Sequence, residues 1–145
     1  MPDYLSGLKL AVSPAGPVQT SSFICIDGTQ GNNQCRQATA TTDYAIGISQ
    51  VGSASTPNLV QTLAPGVTYV PPAGNPGDEI QIFSIGDVAP LRLGATCTAG
   101  APLTNDTSGN GIMVAQGSGS KYWAFALQAG VAGDIIDVHV RGGTA

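Results

Sequence analysis

The stretch Ile135–Val140, IIDVHV, constrains the fold of this chain more than any other. In an extended strand its side chains alternate, so Ile136, Val138 and Val140 fall on one face and Ile135, Asp137, His139 and Arg141 on the other. One face is core and the other is wet or interfacial. β-Branched residues in alternation, bounded by Gly133 and Gly142, favour a strand over a helix. Just upstream, Tyr122 to Leu127 forms an aromatic and aliphatic run around Trp123, the only tryptophan, and Ala129–Gly133 supplies a glycine-centred turn. Two strands around a turn are the natural reading.

The same design occurs earlier in the chain. With Tyr44 laid on Tyr122 and no gap, Thr29 meets Thr107, Gly31 meets Gly109, Asn32 meets Asn110, Gln50 meets Gln128 and Gly52 meets Gly130. After an insertion, Gly77-Asp78-Glu79-Ile80-Gln81-Ile82 matches Gly133-Asp134-Ile135-Ile136-Asp137-Val138, so both halves end in Gly-Asp followed by a strand. A chain rich in Gly, Ala, Thr and Ser also produces chance matches. The Tyr, Asn, Gln and Gly-Asp pairs carry the weight, and internal duplication is the preferred reading.

With 145 residues the chain fits one domain with a real core, or two very small lobes. Charged residues make up 10%, against roughly 25% in an ordinary soluble domain, so the surface is largely uncharged and prone to association. The net charge of −4, with Lys9, Arg36, Arg92, Lys121 and Arg141 scattered, offers no basic stripe, which argues against nucleic acid as a partner. No apolar run is long enough to cross a bilayer, and MPDYLSGLKL places an Asp where a secretory signal carries Lys or Arg, so a soluble chain with no membrane association and no secretion by that route is expected.

Taken in order, residues 1–18 read as an extended N-terminal arm. Pro2, Pro14, Gly16 and Pro17 break long elements, and Tyr4, Leu5, Leu8, Leu10 and Val12 give it apolar teeth that pack on the domain itself or on a neighbouring subunit. Residues 19–145 read as a single β domain. Phe23 to Asp27 and Cys35 to Thr41 form a hairpin about a Gly/Asn turn. In Asp43 to Val51, Tyr44, Ile46 and Ile48 alternate with Ala45, Gly47 and Ser49, so one face is buried and the other carries almost no side-chain bulk, with Gly47 marking a close backbone approach or a bulge. The insertion 53–76 carries Pro57, Pro65, Pro71, Pro72 and Pro76, which forbid a central strand, and its short extended pieces, Leu59 to Leu63 and Val67 to Val70, are candidates for partner contacts. Ile80 to Ile85 is a strand, and Val88 to Leu93, with Pro90, an edge strand. Leu103 to Thr104 and Ile112 to Ala115 flank the turn NDTSGNG. The sum is about eight to ten short strands and no helix.

No catalytic constellation emerges. The sole imidazole, His139, shares the polar face of its strand with Asp137 and Arg141, where a solvated stripe or a weak charge network at an interface is the ordinary explanation. Asp134 follows Gly133 in a turn and caps local backbone, and no calcium-loop pattern joins Asp78, Glu79 or the Asn105–Asn110 turn. The run Gly117–Ser120 lacks the Lys of a phosphate loop and reads as a hairpin tip. Cys25, Cys35 and Cys97 lack CxxC spacing. Cys25 and Cys35 could face one another across their hairpin as a disulfide, but buried free thiols are the favoured reading, and neither metal nor cofactor is expected.

Several segments, in their order along the chain, carry a resemblance: Asp43–Gln50 (DYAIGISQ), Gly86–Leu91 (GDVAPL), Thr98–Leu103 (TAGAPL) ahead of Asn110-Gly111, Tyr122–Leu127 (YWAFAL) and Ala132–Val138 (AGDIIDV). In these the chain resembles the small capsid decoration, or cement, proteins of tailed bacteriophages. It departs from them in the insertion 53–76 and in Phe125, where glycine is common. The resemblance implies an all-β fold, a small antiparallel β-barrel or sandwich with pseudo-repeated halves, made in the host cytoplasm and bound to the outer capsid surface. It also implies the major capsid protein as partner, a homo-oligomer with a trimer favoured, and no enzymatic activity or catalytic residues. Contact candidates are Tyr4, Leu5, Leu8, Leu10, Val12, Leu59, Tyr69, Pro71 and Pro72. The rival reading is a carbohydrate- or host-binding β-module of a virion fibre or adhesin, with Tyr4, Tyr69 and Tyr122 as the aromatics available for stacking.

Overall fold

The computed structural model describes residues 10–14, 18–27, 34–49, 72–74 and 80–145. Among them every regular element is a strand: β1 (Leu10–Pro14), β2 (Val18–Gln19), β3 (Phe23–Ile26), β4 (Gln34–Gln37), β5 (Ala45–Ser49), β6 (Pro72–Gly74), β7 (Ile80–Phe83), β8 (Val88–Arg92), β9 (Pro102–Asn105), β10 (Gly111–Met113), β11 (Lys121–Ala126) and β12 (Ile135–Thr144). The all-β class holds. Twelve short strands replace the eight to ten expected, because two-residue and three-residue ladders such as β2 with β6 leave almost no periodic signal in sequence.

The two halves share one strand order. In the first, the ladder runs β4-β3-β5-β7-β1, and in the second β10-β9-β11-β12-β8. Replacing β1, β3, β4, β5 and β7 by β8, β9, β10, β11 and β12 turns one into the other. Register agrees at one rung of the β3–β5 and β9–β11 ladders and is offset by one residue between β3–β4 and β9–β10. Ile24 stands opposite Gly47, and the residues that the sequence alignment places on them, Pro102 and Phe125, stand opposite one another. The ladder of the first half closes on itself through a parallel pairing of β1 with β4 at Ser13–Gln34. In the second half a single parallel bridge, Leu93–Gly111, joins the corresponding edges. All other pairings between strands are antiparallel.

One core serves both halves. Phe23, Cys25 and Ile48 of the first pack with Leu91, Leu103, Ala124, Val138 and Val140 of the second, while Val18, Ile24, Cys35 and Ile82 fill a smaller cluster confined to the first half. Backbone and side-chain bonds sew the halves together: the Phe23 N–H donates to the Gly109 carbonyl at 2.8 Å, the Arg92 N–H to the Ser21 carbonyl at 2.9 Å, and Asn105 Nδ2 to the Ala40 carbonyl at 2.8 Å. Such bonds matter because a buried polar group left unpaired costs more than the bond itself returns.

β12 carries the expected alternation, with Ile136, Val138 and Val140 buried and Ile135, Asp137 and Arg141 exposed. β8 lies at the edge of its sheet, bonded to β12, with Pro90 opposite Asp137. Gly47 is a close approach: a Cβ there would collide with the Phe83 carbonyl oxygen of the neighbouring β7.

Of residues 1–18, Leu10–Pro14 and Val18 are described, and they pair within the domain itself, one of the two alternatives that the sequence leaves open. β1 is held by β7 on one side and β4 on the other, and β2 pairs with β6, because the unpaired edges of β4 and β7 are satisfied by the chain's own N-terminal segment. Tyr44, placed on the buried face with Ile46 and Ile48, is instead 69% exposed. It precedes β5, and the pairing of β5 with β3 shifts register between Ile24 and Cys25, which breaks the alternation there.

Cys25, Cys35 and Cys97 are free and buried. Cys25 stands opposite Arg36 and Cys35 opposite Ile26, so the two thiols occupy adjacent rungs, and they enter different clusters, Cys25 the shared core and Cys35 the smaller one.

Candidate functional site

The connection from β4 to β5 is built around one ion pair. Asp43 accepts from Arg36 Nη2 at 2.7 Å and Nη1 at 2.9 Å, and its Oδ2 also accepts the backbone N–H groups of Thr39 and Ala40, each at 3.0 Å. The Arg36 guanidinium, followed by those backbone donors, holds the Asp43 carboxyl well below the usual carboxylate range. A bidentate pair of this kind fixes orientation as well as energy. It sets the path of Thr41, Thr42 and Tyr44 at the junction of the two halves.

Across the junction, Tyr44 meets Trp123 of β11 edge to face, with ring centroids 5.5 Å apart and planes at 60°. Together they stand at a groove of about 660 Å³ whose other walls are Thr41, Thr42, Thr104, Met113–Ala115 and Ser118–Lys121. Hydroxyl groups dominate its polar lining. Lys121, its one charged side chain, donates to Thr144 Oγ1 at 3.0 Å. Two buried polar atoms here lack a hydrogen-bond partner, Trp123 Nε1 and Thr104 Oγ1, and Thr104 as a whole is only 8% exposed.

A second surface is the outer face of β8, β12 and β11. Val88 and Ile135 are 56% and 50% exposed, and His139 sits half-buried with Val88 opposite on β8 and Phe125 opposite on β11. Tyr122 leans on Phe125 with ring centroids 4.8 Å apart, and the Arg141 guanidinium lies 6.0 Å from the centre of the Phe125 ring. Arg141 thus engages an aromatic ring on this face. No group of three or more His, Cys, Asp or Glu side chains placed to hold a metal occurs among the described residues.

Of the contact candidates, Tyr4, Leu5, Leu8, Leu59, Tyr69 and Pro71 lie outside the described residues. Leu10 and Val12 belong to β1, and Pro72 to β6, so their backbones are engaged within the chain. Sequence reasoning missed the Tyr44–Trp123 groove. Its signal was the hydroxyl-rich turn Thr39–Asp43 beside an aromatic residue, together with Trp123, one residue past the equivalent of Tyr44 in the second half, and joining them needs the contact between halves.

No protein-family model matches this sequence, and no curated protein matches it. The fold defines an all-β protein of duplicated five-stranded ladders. In three dimensions it is similar to the head fiber gp8.5 N base of bacteriophage phi29, with a TM-score of 0.54 and 10% identity over 93% of this chain and 94% of that one. At that identity what the two share is the fold.

Proposed function

We propose that this chain is a structural protein of a phage virion that binds the outer surface of the head and stabilises contacts between capsomers, without chemistry of its own. The observation that carries this reading is the end-to-end likeness to a phage head fiber base, 93% of one chain on 94% of the other. The likeness of fold runs over nearly all of both chains and not over one shared motif. The charge-poor composition and the exposed apolar side chains Val88 and Ile135 fit a scaffold that works by contact. Many copies, each adding a modest contact energy, sum to a large one by multivalency. The partner in this reading is the major capsid protein, and the protein binds as an oligomer, a trimer being favoured.

The test is co-sedimentation of the purified protein with heads stripped of accessory proteins, alongside its mass in solution. Saturable binding at a fixed copy number per head supports the reading, and heads that emerge bare at saturating protein overturn it. A chain lacking residues 1–9 tests the remaining arm: lower occupancy with an unchanged melting temperature assigns capsid contacts to Tyr4, Leu5 and Leu8.

A further inference from the structure

We propose that the groove between the two halves is a saccharide site that takes a pyranose ring against Tyr44 and Trp123. Three independent features converge on it. First, Tyr44 is 69% exposed although it is a large aromatic side chain, and it stands edge to face with Trp123, so the pair presents an angled aromatic wall and not a packed core. The C–H faces of a pyranose are the apolar surfaces that such a wall accepts, while the ring's hydroxyls point outward to polar partners.

Second, the remaining lining is dense in hydroxyl groups and poor in charge: Thr41, Thr42, Thr104, Ser118 and Ser120, with Lys121 alone charged. A hydroxyl both donates and accepts, which suits the hydroxyls of a sugar and gives no advantage to a phosphate or a carboxylate. Third, the groove contains unfinished hydrogen bonding. Thr104 is more than nine-tenths buried and its Oγ1 has no partner, and Trp123 Nε1 is buried with none. Unpaired buried polar atoms are costly and rare in folded proteins, and both of these belong to residues that line the groove. The groove's volume, about 660 Å³, lies within the range of about 300–1,000 Å³ common to small-molecule sites.

The wall residues Tyr44 and Trp123 are none of the residues proposed to meet the head. The site would give a head-bound protein a means of holding glycan.

Trp123 is the only tryptophan in the chain, so all tryptophan fluorescence comes from a residue of the groove wall. The purified full chain is titrated with glucose, galactose, N-acetylglucosamine and glucuronate. A saturable change with at least one of them is expected. In Thr104→Val, which keeps the shape and removes the unpartnered hydroxyl, that affinity falls about threefold to tenfold. In Tyr44→Ala it falls further, while the melting temperature of both variants stays near that of the parent. No saturable change with any of the four sugars overturns the proposal. So does a response that persists unaltered in both variants, since the sugar would then be bound elsewhere. If stripped heads, and no sugar, perturb Trp123, the groove belongs to the capsid contact and the saccharide assignment fails.

Discussion

Arg36 and Asp43 grip one another through two hydrogen bonds, 2.7 and 2.9 Å long, across the turn that leads from β4 to β5. The Asp43 side chain is 13% exposed and that of Arg36 36% exposed, so the carboxylate is the more protected partner and solvent screens part of the pair's attraction. Asp43 also caps two backbone N–H groups of the turn. Its loss therefore frees the turn that carries Tyr44. Asp43→Ala is expected to cost about 1–3 kcal/mol in urea unfolding and to weaken the contact between Tyr44 and Trp123, read as a shift in Trp123 emission.

The same pair gives a pH signature. Because the folded-state carboxyl of Asp43 lies below its unfolded value, its stabilisation is complete above about pH 4 and is lost as pH falls below that value toward the folded one. Unfolding free energy measured from pH 7 down to pH 2 should decline in the acid range, and Asp43→Asn should flatten part of that decline. An identical acid slope in the two proteins would remove Asp43 from the account.

At Gly47 the limit is backbone against backbone. The atom that a Cβ would strike is the carbonyl oxygen of Phe83, which is itself part of the ladder between β5 and β7 and has no free rotation to retreat. Gly47→Ala is expected to cost about 1–3 kcal/mol or more, seen as a lowered denaturation midpoint with an unchanged slope.

The buried thiols offer a chemical readout of folding. Burial pushes Cys25 and Cys35 up to about 11, and Cys97 is raised as well by the same cause. At pH 8 the thiolate fraction of Cys25 or Cys35 in the folded chain is then about one in a thousand. A disulfide-exchange reagent should leave the native protein unmodified at that pH and titrate all three cysteines in denaturant.

Since Phe23 and Ile48 pack with Leu103 and Val138 in one cluster, the halves should unfold together. Leu103→Ala is expected to cost about 2–5 kcal/mol, and Trp123 fluorescence and far-ultraviolet circular dichroism should give coincident transitions in parent and variant. Separate transitions would mean that the halves have independent cores.

Much of the architecture was legible from particular residues. The alternation of Ile136, Val138 and Val140 gave the buried face of β12, Pro90 marked an edge, and the Tyr44–Tyr122 alignment anticipated the shared strand order of the two halves. What escaped depends on contacts distant in sequence. Leu10–Pro14 reads as an arm because its proline and short apolar run say nothing of the open edges of β4 and β7 that it fills. For the same reason a truncation of residues 1–12, which removes most of β1, would damage the fold. Tyr44 left its expected face because of a register shift against β3, which no local pattern encodes. The groove it forms needs the second half to complete it.

The most direct test of the proposed virion role is electron cryomicroscopy of phage particles saturated with this protein, at a resolution that separates strands. Density on the outer face of the head that accepts the paired five-stranded ladders, repeated at fixed sites between capsomers, is the predicted result. A head surface that shows no such density, or the same fold found only in the tail, would contradict it.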